Sequence, residues 1–209
     1  MNIEADVLAE IVRAHAPHTV ILYGSRARGD ATAESDVDIV AYADVDETYR
    51  DARRWNGVFL DVFVHPTAKA EETSEEELKL LGGEIVLDQR GLGAPLLERL
   101  AALDSAGPPT LPETERQVRR VWAHKMLARI RRDDVEAHYR HHWLLFQLLE
   151  DDFALHGGWF RGPKRSLVEL RARRPATYEA MARALAPAGG VEALATLVTL
   201  VAGTEDAGD

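Results

Sequence analysis

The sequence predicts an α+β chain, with strands and a few helices over the first half and helices alone over the second. Three observations carry this. Short apolar runs bounded by Gly, Asn and Asp punctuate residues 19–88. After Asp104-Ser105-Ala106-Gly107-Pro108-Pro109-Thr110-Leu111-Pro112, the clearest linker, apolar residues recur at helical spacings only. The charge balance changes at the same point: residues 1–107 carry 21 acidic and 10 basic side chains, residues 108–209 carry 14 and 15. Two units with different tasks are expected, at 1–107 and 113–203.

Val7, Leu8, Ile11 and Val12 space an amphipathic helix from Ile3 to about His15, and Pro17 stops it. Thr19-Val20-Ile21-Leu22-Tyr23 reads as a buried strand that breaks at Gly24-Ser25 into a short helix ending near Gly29. A second strand runs from Val37 to Tyr42. Asp46 is positioned to cap a helix through Tyr49 and Ala52 to Trp55. Asn56-Gly57 is a turn signal, and Val58 to Val64 a third strand. Glu71 to Glu77 reads as a solvated loop or helix start, Glu84 to Asp88 as a short strand, and Pro95 to Leu103 as a helix. In the second half, Val118, Val121, Trp122, Met126 and Ile130 mark one face of a helix from Glu113. Val135, Tyr139, Trp143, Phe146, Leu149 and Phe153 mark a longer one that Gly157-Gly158 ends. These aromatic residues are expected in the core. Ser166–Arg173, Ala176–Leu185 and Val191–Val201 read as three further helices, and Gly203 to Asp209 as a frayed end.

Composition narrows the chemistry. The chain has no cysteine, which excludes disulfides, thiolate catalysis and cysteine-ligated zinc. No run spans a bilayer and no charged start leads into an apolar signal segment, so a cytoplasmic address is expected. The net charge of −10 argues against a general nucleic-acid binder.

The chemistry-bearing residues lie in the first half. The backbone can approach a phosphate closely at Gly24, and Ser25 adds a hydroxyl. Arg28 and Arg26 stand where guanidinium groups meet phosphate oxygens, or else cover acidic surface. Asp36 and Asp38 are two apart, which in a strand points both to one face, and adjacent carboxylates repel unless a proton or cation lies between them. Asp61 is the only charge in an otherwise apolar strand, a costly placement unless it is paired or bound to a cation. The three together suit a hard divalent cation that also holds a substrate phosphate.

The stretch GSRARGDATAESDVDIV, followed by Asp61 on a later strand, resembles the signature of the polymerase-β-like nucleotidyltransferase superfamily. It is closest to the minimal bacterial nucleotidyltransferases and the antibiotic adenylyltransferases. The resemblance covers residues 19–64 strongly and 65–105 loosely. It implies a mixed-sheet nucleotidyltransferase domain followed by an all-helical C-terminal bundle, two magnesium ions (Mg2+), and transfer of a nucleotidyl group from ATP or another nucleoside triphosphate. The family roles fall on Gly24 and Ser25 for the triphosphate, Asp36 and Asp38 for metal, and Asp61 for metal or base. The expected acceptor is a hydroxyl of a small molecule, with an antibiotic as one case. The alternatives are an antitoxin-like enzyme that modifies a protein partner and a non-catalytic nucleotide-binding regulatory module.

The same resemblance assigns acceptor contacts, and sometimes a triphosphate lysine, to the helical half. Lys164, in Arg161-Gly162-Pro163-Lys164-Arg165, is the candidate, with Lys125 a second that otherwise snorkels to water. Glu136 and Glu150-Asp151-Asp152 read as a solvated face. His138 and His142 have zinc spacing but no third ligand, and Arg132 with His138 fits an RNA-cutting pair only loosely. A homodimer is compatible with the sequence.

Overall fold

The computed structural model describes residues 3–32 and 34–204; the expected frayed end falls mostly on 205–209, outside that range. The chain divides after Ala106 into two compact units.

The first unit is a five-stranded mixed sheet in the order β3-β4-β2-β1-β5. Its strands are β1 Thr19–Tyr23, β2 Val37–Ala43, β3 Tyr49–Trp55, β4 Val58–Pro66 and β5 Glu84–Asp88. β1 runs antiparallel to β2 and β5, β3 antiparallel to β4, and β2 parallel to β4. β3 fills part of the connection that the parallel pair needs.

Alternation sorts the side chains into two faces. Helix α1 (Ile3–His15) buries Val7 and Ile11 among Val20, Leu22, Val37, Ile39, Ala41, Leu60, Val62 and Val64. The opposite face carries Tyr23, Asp38, Tyr42, Asp61 and Phe63. The short helix α2 (Gly24–Arg28) follows β1 directly. Two 3-10 segments, Thr67–Glu71 and Glu75–Leu80, and helix α3 (Gly93–Ala106) complete the unit. They bury Ala70, Leu78, Leu80, Leu96 and Leu100.

The helix expected over Asp46–Trp55 is instead strand β3. Asn56 and Gly57 both take positive φ, 47° and 84°, the two-residue hairpin turn whose twist matches paired strands on either side. The strand pairs Trp55 with Val58 and Ala52 with Asp61. Its other face is pinned to α1: Arg53 bonds Glu10 at 2.8 Å and Asp51 at 3.0 Å, and His15 meets Asp51 at 3.0 Å. The pairs Asp51/Arg53 sit two apart, a strand spacing that an isolated helix cap at Asp46 does not outweigh.

The second unit contains α4 Glu113–Ile130, α5 Val135–His156, α6 Gly162–Arg173, α7 Pro175–Leu185 and α8 Val191–Ala202. Asp134 caps α5 by accepting the Ala137 N–H at 2.7 Å, and Gly157, left-handed at φ 75°, ends it. The core gathers Ala123, Met126 and Ile130 of α4 with Leu144, Leu148, Phe153, Leu170, Met181, Leu194 and Leu197.

Two expected faces are corrected here. Val118, Val121, Val135, Tyr139, Trp143 and Phe146 stand exposed, Tyr139 and Phe146 both at 71%. The expected solvated run Glu150-Asp151-Asp152 is buried at Asp151 and Asp152. α5 carries two apolar stripes at helical spacing, and the aliphatic one, Leu144-Leu145-Leu148-Leu149, faces inward with the two aspartates following it. Periodicity alone does not distinguish the stripes. Asp151 is neutralised by Arg119 at 2.6 Å and Asp152 by Arg174.

Candidate functional site

β1 delivers Gly24 and Ser25 at its carboxyl end, and the register places Tyr23 opposite Asp38 on β2. In turn Asp38 stands opposite Asp61 on β4, across a parallel pair whose strands lie about 4.8 Å apart. The two carboxylates therefore share one face at one end of the sheet. Asp36 precedes β2 and is exposed. A single sheet end thus brings Gly24, Ser25, Asp36, Asp38 and Asp61 together.

Gly24 is required twice. Its φ of +76° disfavours any side chain, and a Cβ there would lie 3.0 Å from Asp38 Cγ and overlap the carboxylate oxygen. Arg26 is committed to the fold: its guanidinium donates to the Asp36 carbonyl at 3.1 Å and the Ser35 carbonyl at 2.8 Å, tying α2 to the start of β2. Arg28 approaches Asp30 at 3.4 Å and acts electrostatically on Asp38.

Electrostatics separate the two facing carboxylates. Asp38 makes no side-chain hydrogen bond or ion pair with any other described residue. Burial holds its carboxyl above the usual range, and the charges of Asp61 and Asp36 push the same way. Asp61 is held in a fork by Arg50, Nε to Oδ1 at 2.6 Å and Nη2 to Oδ2 at 2.8 Å. Lys79 places its ammonium 4.1 Å from the Phe63 ring centroid and 5.5 Å from that of Tyr23. Burial draws its pKa down, while the charge of Asp61 opposes that shift. Tyr23 is driven upward by burial and by Asp38 and Asp61, so its phenol stays neutral.

Arg50 and Lys79 were not among the sequence candidates. Arg50 was legible from the Asn56-Gly57 hairpin: a two-residue turn there fixes Ala52 opposite Asp61 and Arg50 opposite Phe63, which sets Arg50 diagonal to Asp61 on the same face. Lys79 carries no comparable signal, because it arrives on a 3-10 segment.

Among the described residues no three carboxylate or imidazole groups form a ready-made metal cage. The donor set still fits magnesium. That ion commonly takes one or two carboxylates and completes its shell with water and substrate phosphate. Facing Asp38 and Asp61 meet this demand, with Asp36 at the margin.

Residues 6–95 match the family model of the nucleotidyltransferase domain. The first unit carries a nucleotidyltransferase domain. Strands β1, β2 and β4, which present the glycine and the carboxylates, fall inside the matched span. A solved nucleotidyltransferase-like protein from Exiguobacterium sibiricum 255-15 shares 16% identity. The match covers 95% of this chain and 75% of that one, with a TM-score of 0.43. No curated protein matches the chain.

Outside the nucleotidyltransferase domain, Lys164 is exposed in the first turn of α6 in the second unit, and Lys125 is exposed on α4. His138 meets Asp133 at 3.1 Å on the surface. A cavity of about 140 Å³ in the helical unit is lined by Asp152, His156, Glu169, Arg173 and Arg174. Its charges pair with one another, Asp152 with Arg174 and Glu169 with Arg173. No helix among the described residues is long and apolar enough to cross a membrane.

Proposed function

We propose that the chain transfers AMP from ATP to a hydroxyl group of a small molecule, with Asp36, Asp38 and Asp61 serving magnesium at the nucleotidyltransferase site. The observation that carries this reading is the register of Asp38 against Asp61 beside a glycine whose missing Cβ makes room for Asp38. Asp38 lies beside two other acids without a cation of its own, which favours a bound divalent ion.

When bound, such ions neutralise the charge that develops on the transferring phosphoryl group. Gly24 lets the backbone approach the polyphosphate and Ser25 offers its hydroxyl. Arg28 supplies a guanidinium to phosphate oxygens. Asp61 completes the metal set or takes the proton of the acceptor hydroxyl. The acceptor oxygen bonds to the α-phosphorus, the bond from that phosphorus to the bridging oxygen breaks, and pyrophosphate leaves. Positioning and charge stabilisation suffice for such chemistry without a covalent enzyme intermediate.

A second reading, transfer to a protein side chain, is favoured by one specific feature. Tyr139, Trp143 and Phe146 line an exposed apolar groove on α5 with His142, a surface suited to a protein partner. A screen with labelled ATP and magnesium against hydroxyl-bearing small molecules and candidate proteins separates the two. Label on a small molecule supports the first reading. Label on protein alone supports the second. No label on either class, with ATP bound, points to a regulatory nucleotide-binding module.

A further inference from the structure

Helices α4 and α5 pack against each other in opposite directions. Arg119 meets Asp151 at 2.6 Å, the Trp122 and Trp143 rings meet edge to face at 5.5 Å, and Arg140 reaches the Met126 sulfur at 3.3 Å. Their inner faces build the helical core. Their outer faces are apolar as well. Val118 and Val121 on α4, and Val135, Tyr139, Trp143 and Phe146 on α5, all stand exposed. Spacings of three and four keep Tyr139, Trp143 and Phe146 in one stripe, and Val118 in line with Trp122. The Trp122–Trp143 contact joins the stripes into one patch. A monomer rarely leaves a contiguous apolar patch of this kind uncovered.

We infer that this patch is the interface between two copies of the chain, related by a two-fold axis near Trp143 and Phe146. Two observations select a second copy as the occupant. The first is area. The exposed fractions of the six residues amount to on the order of 700 Å², against the ~800 Å² that each partner gives to a standard stable interface. The second is charge. Glu150 is exposed one turn beyond Phe146, and its carboxylate meets the Gln147 amide at 3.4 Å but no cation among the described residues. Lys125 is exposed on α4 and forms no ion pair among the described residues. The antiparallel packing puts Lys125 beside the turn of α5 that carries Tyr139 and His142, on the other side of Trp143 from Glu150. A two-fold rotation perpendicular to the helices exchanges these ends. Glu150 then faces the partner subunit's Lys125, and the reverse pair forms at the other end. A patch with an acid at one end and a base at the other is complementary to itself. Aromatic side chains occupy its centre and charges its rim, as in stable interfaces.

The test is sedimentation velocity on the full chain, without nucleotide or metal, at increasing concentration. A dimer is expected in the micromolar range. Phe146→Asp puts a charge at the centre and is expected to weaken association at least about 30-fold, the scale of a lost hot spot. Because Phe146 is exposed, the dilute monomer of that variant is expected to melt as the unsubstituted monomer does. Glu150→Lys sets a lysine against the partner subunit's Lys125 at both ends, and is expected to weaken association about ten-fold. Adding Lys125→Glu to Glu150→Lys is expected to restore it. A chain that stays monomeric throughout, or a dimer that Phe146→Asp leaves intact, overturns the proposal. A double variant that associates no better than Glu150→Lys overturns the two-fold pairing. A monomeric chain that loses transfer to a protein acceptor in Phe146→Asp assigns the face to that acceptor instead.

Discussion

The two units treat carboxylates in opposite ways. In the helical unit Asp151 and Asp152 are buried, and each has its own arginine, Arg119 and Arg174. In the sheet unit Asp38 stands beside Asp61 and Asp36, and Arg50 is committed to Asp61. Burial still holds both carboxyls above the ordinary range, but each has an arginine within the fold that opposes the shift. An acid left among other acids carries their repulsion on top of its burial, as Asp38 does beside Asp61 and Asp36. The difference explains why an acidic run in one half and an acidic pair in the other carry different meanings.

The largest expected effect breaks the matched side of this comparison. Asp152→Ala removes the carboxylate that Arg174 meets, leaving that guanidinium only its neutral partners at Leu200 and His156, and is expected to destabilise the chain by about 3 kcal/mol in denaturant titrations. Asp38→Asn is expected to raise the melting temperature of the metal-free protein, because it removes an unpaired charge. Equal losses from the two variants would end the distinction. Gly24→Ala is expected to cost about 1–3 kcal/mol and to weaken nucleotide binding, from the positive φ and the overlap with Asp38 together.

Glu77 extends the comparison to a second acid without a partner. It is buried on the segment expected to be solvated, and among the described residues no basic side chain forms an ion pair with it. Burial holds its carboxyl above the ordinary range. An acid raised on folding destabilises the fold where it is ionised, above its folded pKa, and the penalty disappears as pH falls through that value. Glu77→Gln is therefore expected to raise the melting temperature at pH 7–8, with the gain shrinking as the pH is lowered into the mildly acidic range. A constant gain across that range would contradict this account of Glu77.

The smallest effect is expected on the exposed stripe. Phe146→Ser is expected to change stability by no more than about 0.5 kcal/mol, whereas Leu148→Ala, on the inward face of α5, costs about 3 kcal/mol. Comparable losses would return the aromatic stripe to the core.

These contrasts show where the sequence was readable. β1, the Gly24 break and the order of the five C-terminal helices follow from local signals: a buried apolar run, a glycine, and stops at Gly157 and Pro175. The facing of Asp38 and Asp61 was only half legible. Each strand is visible in the sequence, but their parallel adjacency depends on β4 inserting between β2 and β3, a non-local pairing. β3 was misread because Asp46 offers a plausible cap, while the deciding signal, Asn56-Gly57, lies at the far end of the segment. The buried aspartates of α5 were missed because their arginines lie 32 and 22 residues away, on α4 and at the start of α7. A charge looks solvated in sequence until such a partner is known.

The most direct measurement is calorimetric titration of ATP, with and without Mg2+, into the full chain and into Asp38→Asn. If Asp38 and Asp61 form the metal and nucleotide site, ATP binding depends on Mg2+ in the unsubstituted protein, and that dependence is lost in Asp38→Asn while the fold is retained. Magnesium-dependent binding of equal strength in both proteins would contradict the assignment of the site.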